Sequence, residues 1–171
     1  MVVTAADVKM VRERTGAGIL DSKNALEKAL GDVEVAVEDL IKKGRAKGLA
    51  MADKKVGSKA SQGVVESYIH AGGRIGVLIE VNCETDFVAH TDEFKKLTHE
   101  LAMQVAAMSP KYIGVDDLPV DPDGLLAEVS LMHQPFIRDQ SRTMKDVVAE
   151  AIAKMGESIR VKRFVRFELG G

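Results

Sequence analysis

Length, charge and composition limit the class of this protein. Its 171 residues, 46% of them hydrophobic, can bury the core of one ordinary domain, or of one small and one medium domain. The net charge of −2 excludes strong overall attraction to nucleic acid, and a single cysteine, Cys83, excludes an internal disulfide framework. The start of the chain lacks the pattern of a secretory signal, and no stretch approaches the ~20 apolar residues of a membrane span. We therefore expect a cytoplasmic protein.

Residues 1–43 predict a small module of three short helices. Thr4 and Asp7 have the spacing of a capping box at the start of the first helix, and the glycine-containing stretch 15–18 ends it. The third helix is expected to end before Gly44. Apolar positions at helical spacing in the second and third helices are Ile19, Leu20, Leu26 and Leu30, then Val33, Val37, Leu40 and Ile41.

Residues 44–62 have a different composition. From residue 42 to residue 59 the chain carries seven bases and one acid, Asp53, with glycines between them. Such a run could contact RNA, but it has no interleaved aromatic residues on which bases could stack. We interpret it as a solvated basic linker that is partly helical.

Residues 63–171 predict a second module of mixed helix and strand. Two strand-like runs, 63–70 and 74–81, are joined by Ala71-Gly72-Gly73, which is typical of a β-hairpin. A helix over 92–108 follows, because its apolar residues recur at helical spacing. These residues are Phe94, Leu97, Leu101, Val105 and Met108.

The C-terminal third predicts an irregular loop, two short helices and a last strand. The loop spans 115–124, and the helices are expected over 125–133 and 143–155. The final run predicts a third strand, because its apolar residues alternate, with an interruption at Arg163 and Phe164. The alternating residues are Ile159, Val161, Val165, Phe167 and Leu169. The predicted fold class is therefore α+β, with a three-helix module, a linker, and a core of a three-stranded antiparallel sheet with helices.

An acid and an aromatic residue, Asp86 and Phe87, follow the strand run 75–81 and precede the helix-start signal at 91–93. A strand-to-helix junction can project side chains from a rigid support. Taken alone, Phe87 is more often a core residue. The alternative is a wedge that enters another protein.

The sequence contains no motif that supports nucleotide binding or catalysis. The stretch 15–18 lacks the spacing of a Walker loop, and no dinucleotide fingerprint follows a strand. Cys83, His70 and Asp86 could be assembled into a triad, but nothing in their spacing orients a base toward the thiol. The four histidines show no paired metal-ligand spacing. We expect a protein that is not an enzyme and that binds no cofactor, metal or nucleotide directly.

Four segments, in order, resemble the translation elongation factor Ts family. Residues 8–26 resemble its N-terminal signature, and residues 79–89 match its second signature. Residues 129–136 and 164–168 resemble its C-terminal segment. The resemblance runs from near residue 4 to the end of the chain, which makes it far more specific than a short pattern.

The resemblance implies a guanine-nucleotide exchange factor for elongation factor Tu, the GTPase that delivers aminoacyl-tRNA to ribosomes. It also implies that the three-helix module is similar to ubiquitin-associated domains. Three groups of partner-binding residues follow from the matching motifs. They are a wedge near the Mg²⁺ of the GTPase (Thr85, Asp86, Phe87, Val88), a hairpin contact (His70, Gly72, Gly73) and an N-terminal docking site (Arg12, Thr15, Gly16, Gly18, Lys23).

In one respect the chain departs from longer members of that family, which have two hairpin subdomains and a coiled-coil insertion. This sequence has one hairpin that combines features of both. Since short members are homodimers, the resemblance implies a homodimer in which one subunit offers Asp86 and Phe87 and the other offers His70. The competing hypothesis is an adaptor similar to ubiquitin-associated domains, or a ribosome-associated scaffold, without exchange activity.

Overall fold

The computed structural model describes residues 3–54, 60–119 and 125–171 of this α+β protein. Seven helices and five strands are present in the described residues, together with two 3₁₀ turns, Val115–Asp117 and Leu131–His133. The helices are α1 Ala5–Thr15, α2 Ile19–Lys28, α3 Val33–Lys54, α4 Asp86–Ala89, α5 Asp92–Met108, α6 Leu126–Val129 and α7 Met144–Met155. The strands are β1 Gln62–Ile69, β2 Ile75–Cys83, β3 Pro135–Phe136, β4 Asp139–Thr143 and β5 Arg160–Glu168.

Helices α1, α2 and the first half of α3 form the N-terminal module. The predicted capping box is confirmed, because the Asp7 amide donates to the Thr4 hydroxyl and the Thr4 amide donates to the Asp7 carboxylate. A small apolar core consists of Val11, Ala25, Leu26, Ala36 and Val37. The module is therefore held together by few and mostly small side chains.

The predicted inward positions of the second helix are partly wrong. Leu26 is buried, but Ile19 is 64% exposed and Leu20 is 69% exposed. Helix α2 instead turns Ser22 and Ala25 inward with Leu26, which is the spacing of one helix face. The two large apolar residues at its start are left on the surface.

Helix α3 does not end before Gly44, as the sequence predicted, but continues to Lys54. Its second half lies along α7, where a Cβ on Gly48 would be 1.8 Å from the Ala149 carbonyl oxygen. Glycine is therefore needed here so that the two helices can approach. Arg45 also forms an ion pair with Glu150 of α7. The first part of the predicted linker is thus packed helix, and residues 55–59 lie outside the described residues.

The core module contains the predicted antiparallel sheet, with strand order β1–β2–β5. The hairpin is confirmed, with Gln62 opposite Cys83 at one end and Ile69 opposite Gly76 at the other. Helix α5 packs on the inner face of the sheet. Its predicted apolar stripe is buried at Phe94, Leu97, Leu101 and Val105, whereas Met108 is partly exposed.

The last strand contains a β-bulge that the alternation pattern did not predict. Val161 lies opposite Val81, whereas Arg163 lies opposite the next residue of β2, Glu80. The extra residue, Lys162, exchanges the two faces of the strand. Before the bulge the apolar side chains point inward. After it, Val165, Phe167 and Leu169 are exposed, so the alternating apolar residues do not share one face. The bulge lies next to the interruption of the alternation at Arg163 and Phe164.

Residues 108–119 and 125–137 are fixed to the core by two fully buried glutamines. Gln134 donates to the Met108 and Glu128 carbonyls, and Gln104 donates to the Pro135 carbonyl and accepts from the Ile137 amide. The predicted helix over 125–133 is present as α6 and a 3₁₀ turn, and the helix over 143–155 is α7. The β3–β4 hairpin was not predicted, and residues 120–124 of the predicted loop lie outside the described residues.

Candidate partner-binding site

The wedge candidate is a very short helix at the end of β2. Thr85 caps α4, accepting from the Val88 amide at 3.4 Å. Val88 and Ala89 are buried, whereas Phe87 is 81% exposed and Asp86 beside it is also exposed. The core alternative for Phe87 is therefore wrong. Helix α4 is anchored by its second half and presents the acid and the aromatic ring outward.

Glu157 holds the chain that leads into α4. Its carboxylate accepts from the Glu84 amide at 3.1 Å and from the Thr85 amide at 3.0 Å, and it also accepts from the Thr85 hydroxyl. The Ser158 amide donates in return to the Glu84 carboxylate at 2.8 Å. These bonds join the end of β2 to the turn between α7 and β5.

Cys83 has the surroundings of a packed residue. It is fully buried, and its thiol donates to the Thr85 carbonyl at 3.2 Å. Burial raises the pKa of the thiol, and the nearby Glu157 carboxylate raises it further. A thiol that is buried and hard to ionise is a poor nucleophile. The structure also does not bring His70 to Cys83, since the two lie at opposite ends of the hairpin.

The hairpin candidate lies at the turn between β1 and β2. Gly72 and Gly73 have φ values of 89° and 68°, which favour glycine. His70 is exposed, and its Nδ1 lies 3.1 Å from the Tyr68 hydroxyl. The Tyr68 ring meets the His99 ring edge-on at 5.6 Å between centroids. Tyr68, supported by α5, therefore orients His70.

The N-terminal candidates fall into two kinds. Arg12 and Lys23 are exposed side chains. Thr15, Gly16 and Gly18 shape the turn between α1 and α2. The Thr15 hydroxyl donates to the Val11 carbonyl, Gly16 has a φ of 70°, and Gly18 caps α2.

Sequence reasoning missed two residues at the start of α2. It grouped Ile19 and Leu20 with Leu26 as apolar positions at helical spacing, but both lie on the surface beside this turn. The signal that could have found them is the spacing of Ser22, Ala25 and Leu26, which already completes one inward face of a ten-residue helix.

The N-terminal turn and the wedge lie near the same end of α7. A Cβ on Gly16 would be 3.4 Å from the Lys154 side chain, and the Lys154 ammonium lies 3.3 Å from the Glu93 carboxylate at the start of α5. Glu157, which holds the wedge, follows three residues after Lys154. His70 lies at the other end of β2, about 26 Å away for a nine-residue strand.

The outer face of the sheet is a second apolar surface. On the face opposite α5, each of the three strands exposes large apolar side chains. These residues are Val65, Ile69, Leu78, Val165 and Phe167, and we call them the outer sheet face. The sequence grouped the last two with Ile159 and Val161 in one alternating set, but the bulge exchanges the faces of β5 between the two pairs.

The candidate groups are mostly exposed features of the described residues. None of the described helices is long and apolar enough to cross a membrane. In the parts of the chain that the structure describes, no three His, Cys, Asp or Glu side chains are grouped so that they could hold a metal ion. The exposed candidates are instead an aromatic wedge, a glycine turn and apolar surface residues.

Comparison with known proteins identifies the family. The family model described as Elongation factor TS matches residues 9–122. The chain belongs to the elongation factor Ts family, and so to the translation elongation factors. It is 48% identical to Elongation factor Ts of Moorella thermoacetica, with 99% of this chain and 96% of the relative aligned. It is 45% identical to that of Synechocystis sp., over 98% of this chain and 89% of the relative.

The aligned length differs from the length of this chain. The alignment with the Moorella relative spans 199 positions, more than the 171 residues of this chain. The relative therefore carries inserted residues, within the aligned region, that this chain lacks.

Proposed function

We propose that this protein is a guanine-nucleotide exchange factor that promotes GDP release from elongation factor Tu. The observation that carries the proposal is Phe87, a large apolar side chain held 81% exposed on an anchored helix. Exposure of that kind costs free energy in the isolated protein and favours burial in a partner. Family membership supplies the partner.

The wedge acts on the Mg²⁺ and phosphate region of the GTPase. A GTPase holds GDP through backbone amides, a lysine and Mg²⁺, and loss of the metal leaves the phosphate charge poorly neutralised. Full burial of Phe87 contributes about 1.5–3 kcal/mol. Asp86, whose carboxylate lies 3.4 Å from His90 Nδ1, must keep a polar partner because an unpaired buried carboxylate is costly. No covalent bond is made or broken, so the protein is not an enzyme in this reaction.

Docking through the N-terminal module supplies binding free energy that offsets the cost of distorting the Mg²⁺ and phosphate region of the GTPase. Ile19 and Leu20 give this surface an apolar centre, with Lys23 one turn away. Thermodynamic linkage requires that GDP and the exchange factor weaken each other equally. A 10⁴-fold weakening of GDP needs about 5.5 kcal/mol of differential binding.

The functional unit is a homodimer joined by the outer sheet face. Two such faces can pack about 10 Å apart, and a two-fold axis makes the contact self-complementary. If the axis crosses the strands, His70 of one subunit lies above the Phe87 end of the other. That arrangement overcomes the separation of about 26 Å within one subunit. We place this complex in the cytoplasm, where elongation factor Tu serves the ribosome.

The deciding experiment is release of labelled GDP from a fixed amount of elongation factor Tu, as the concentration of this protein is raised from substoichiometric to excess. We expect a release rate that rises with protein concentration and then saturates. The alternative is an adaptor or scaffold that uses only the N-terminal surface. An adaptor would bind its partner and leave the GDP release rate unchanged.

A further inference from the structure

The segment from Cys83 to Ala89 cannot hold its own conformation. Helix α4 has four residues, whereas isolated helices are marginal in water below about 12 residues. Phe87 is 81% exposed and so gains little from contacts with its own chain. An element outside the segment must fix the direction in which Asp86 and Phe87 point.

Glu157 is the side chain that does so. Both oxygens of its carboxylate are used, one by the Glu84 and Thr85 amides at 3.1 and 3.0 Å and the other by the Thr85 hydroxyl. Hydrogen bonds to an ionised acceptor are about twice as strong as neutral ones. The same Thr85 hydroxyl caps α4 at the Val88 amide. Glu157 therefore orients the group that starts the wedge helix.

The support behind Glu157 is rigid. Helix α7 buries Val147, Val148 and Ile152 in the core. It ends at Gly156, whose φ of 73° turns the chain out of the helix. The strand that follows, β5, pairs with β2. Glu157 thus connects the wedge to the core through the end of a packed helix and the start of a paired strand.

We propose that Glu157 is a positioning residue for nucleotide exchange, holding Asp86 and Phe87 in the orientation in which they enter the GTPase. The inference rests on the exchange function proposed above. It assigns to Glu157 an effect on the rate of GDP release at saturation rather than on the affinity between the two proteins, because docking surfaces elsewhere are unchanged.

The test compares Glu157→Ala and Glu157→Gln with wild type in the GDP release assay. Loss of the charged hydrogen bonds in Glu157→Ala is expected to lower the saturated rate about tenfold, with the half-saturating concentration changed less than about twofold. Glu157→Gln keeps the size and one acceptor oxygen, so a smaller loss is expected. In a Phe87→Ala background, Glu157→Ala should cause a smaller loss than in wild type, since part of its effect passes through Phe87.

A purely structural role predicts a different pattern. In that case Glu157→Ala would lower the melting temperature and leave the GDP release rate per folded molecule unchanged, or would lower that rate by the same factor in wild type and in the Phe87→Ala background. An unchanged rate per folded molecule, or an equal effect in both backgrounds, overturns the inference. Glu128→Ala is the matched control, because it removes an exposed glutamate from α6 and should leave rate and affinity unchanged.

Amide hydrogen exchange on the free protein separates this inference from the proposed function. Glu157→Ala should speed exchange at Glu84, Thr85 and Val88, with protection in α5 retained. Unchanged exchange at those amides overturns the positioning role even if the wild-type protein is an active exchange factor. If wild type fails to stimulate GDP release, the exchange function and the positioning role that rests on it fall together. Faster amide exchange in Glu157→Ala would then still show that Glu157 holds the segment from Cys83 to Ala89 in place.

Discussion

At the scale of single residues, the site depends on the contrast between two neighbouring phenylalanines. Phe87 and Phe94 are seven residues apart, yet Phe87 is 81% exposed and Phe94 is fully buried. The sequence alone favoured a core position for both. Burial of an aromatic residue is decided by the tertiary contacts of its element, and α4 has room for only one inward face, which Val88 and Ala89 occupy.

Phe87→Ala should therefore slow stimulated GDP release strongly while leaving the melting temperature of the free protein nearly unchanged. The same substitution at the buried position, Phe94→Ala, should cost about 3–5 kcal/mol of unfolding free energy. Thermal unfolding and GDP release measured on both variants check the pair. Marked destabilisation by Phe87→Ala, with normal release per folded molecule, would contradict the wedge.

Cys83 supplies a prediction about reactivity and pH. Burial raises the pKa of its thiol in the folded protein. The contribution of the protonated thiol to the free energy of unfolding is therefore fully present below the unfolded pKa of about 8.5, and it is lost as pH rises through the folded pKa. Iodoacetamide at about pH 8 should therefore label Cys83 slowly in the native protein and rapidly in denaturant. Equal rates would show that the thiol is accessible.

Cys83→Ala should retain its stimulation of GDP release. An activity that used the Cys83 thiol as a nucleophile would be lost in this variant.

At the scale of secondary structure, helix starts were predictable and helix ends were less so. Caps such as Thr4 with Asp7 are local signals, readable from side-chain type and spacing. The end of α3 is not local. Gly44 and Gly48 both suggest a break in the sequence, but the helix continues through them because α7 packs against its second half. The interruption at Arg163 and Phe164 marked the place of the bulge in β5, but the exchange of faces could not be predicted, since the partner strand defines it.

The two glycines of α3 provide a matched test of that packing. Gly48→Ala should lower the unfolding free energy by about 1–3 kcal/mol, because its Cβ would lie 1.8 Å from the Ala149 carbonyl oxygen. Gly44→Ala meets no atom within 4 Å and should instead raise it by up to about 1 kcal/mol. Chemical denaturation of both variants measures the difference. Equal effects would show that α3 and α7 are not in close contact.

At the scale of the whole molecule, the sequence predicted the class of the protein better than its arrangement. The hairpin, the α5 stripe and the family motifs indicated an α+β elongation factor. The placement of the three candidate groups could not be predicted, because it depends on which end of β2 each element reaches. The structure brings the N-terminal turn and Phe87 to one end and leaves His70 at the other.

The outer sheet face predicts the oligomeric state. Phe167→Glu places a charge in the apolar outer sheet face, which should shift sedimentation from dimer to monomer at micromolar concentration and reduce exchange activity. Val35→Glu is the control, because it adds the same charge at an exposed apolar residue of α3, away from the sheet. A wild-type protein that sediments as an active monomer would contradict the homodimer.

Helix α3 has a consequence of its own, since it belongs to both modules. Its first turns complete the N-terminal core, and its last turns lie on α7. Its length and its rotation per residue therefore fix both the distance and the angle between the docking surface and the core module. One alanine inserted after Lys43 would turn the docking surface by about 100° about the helix axis, whereas seven would restore the angle to within about 20° and shift it by about 10 Å. We expect the first insertion to misdirect docking and the second to displace it. Affinity and saturated release rate, measured on both, would distinguish angle from distance.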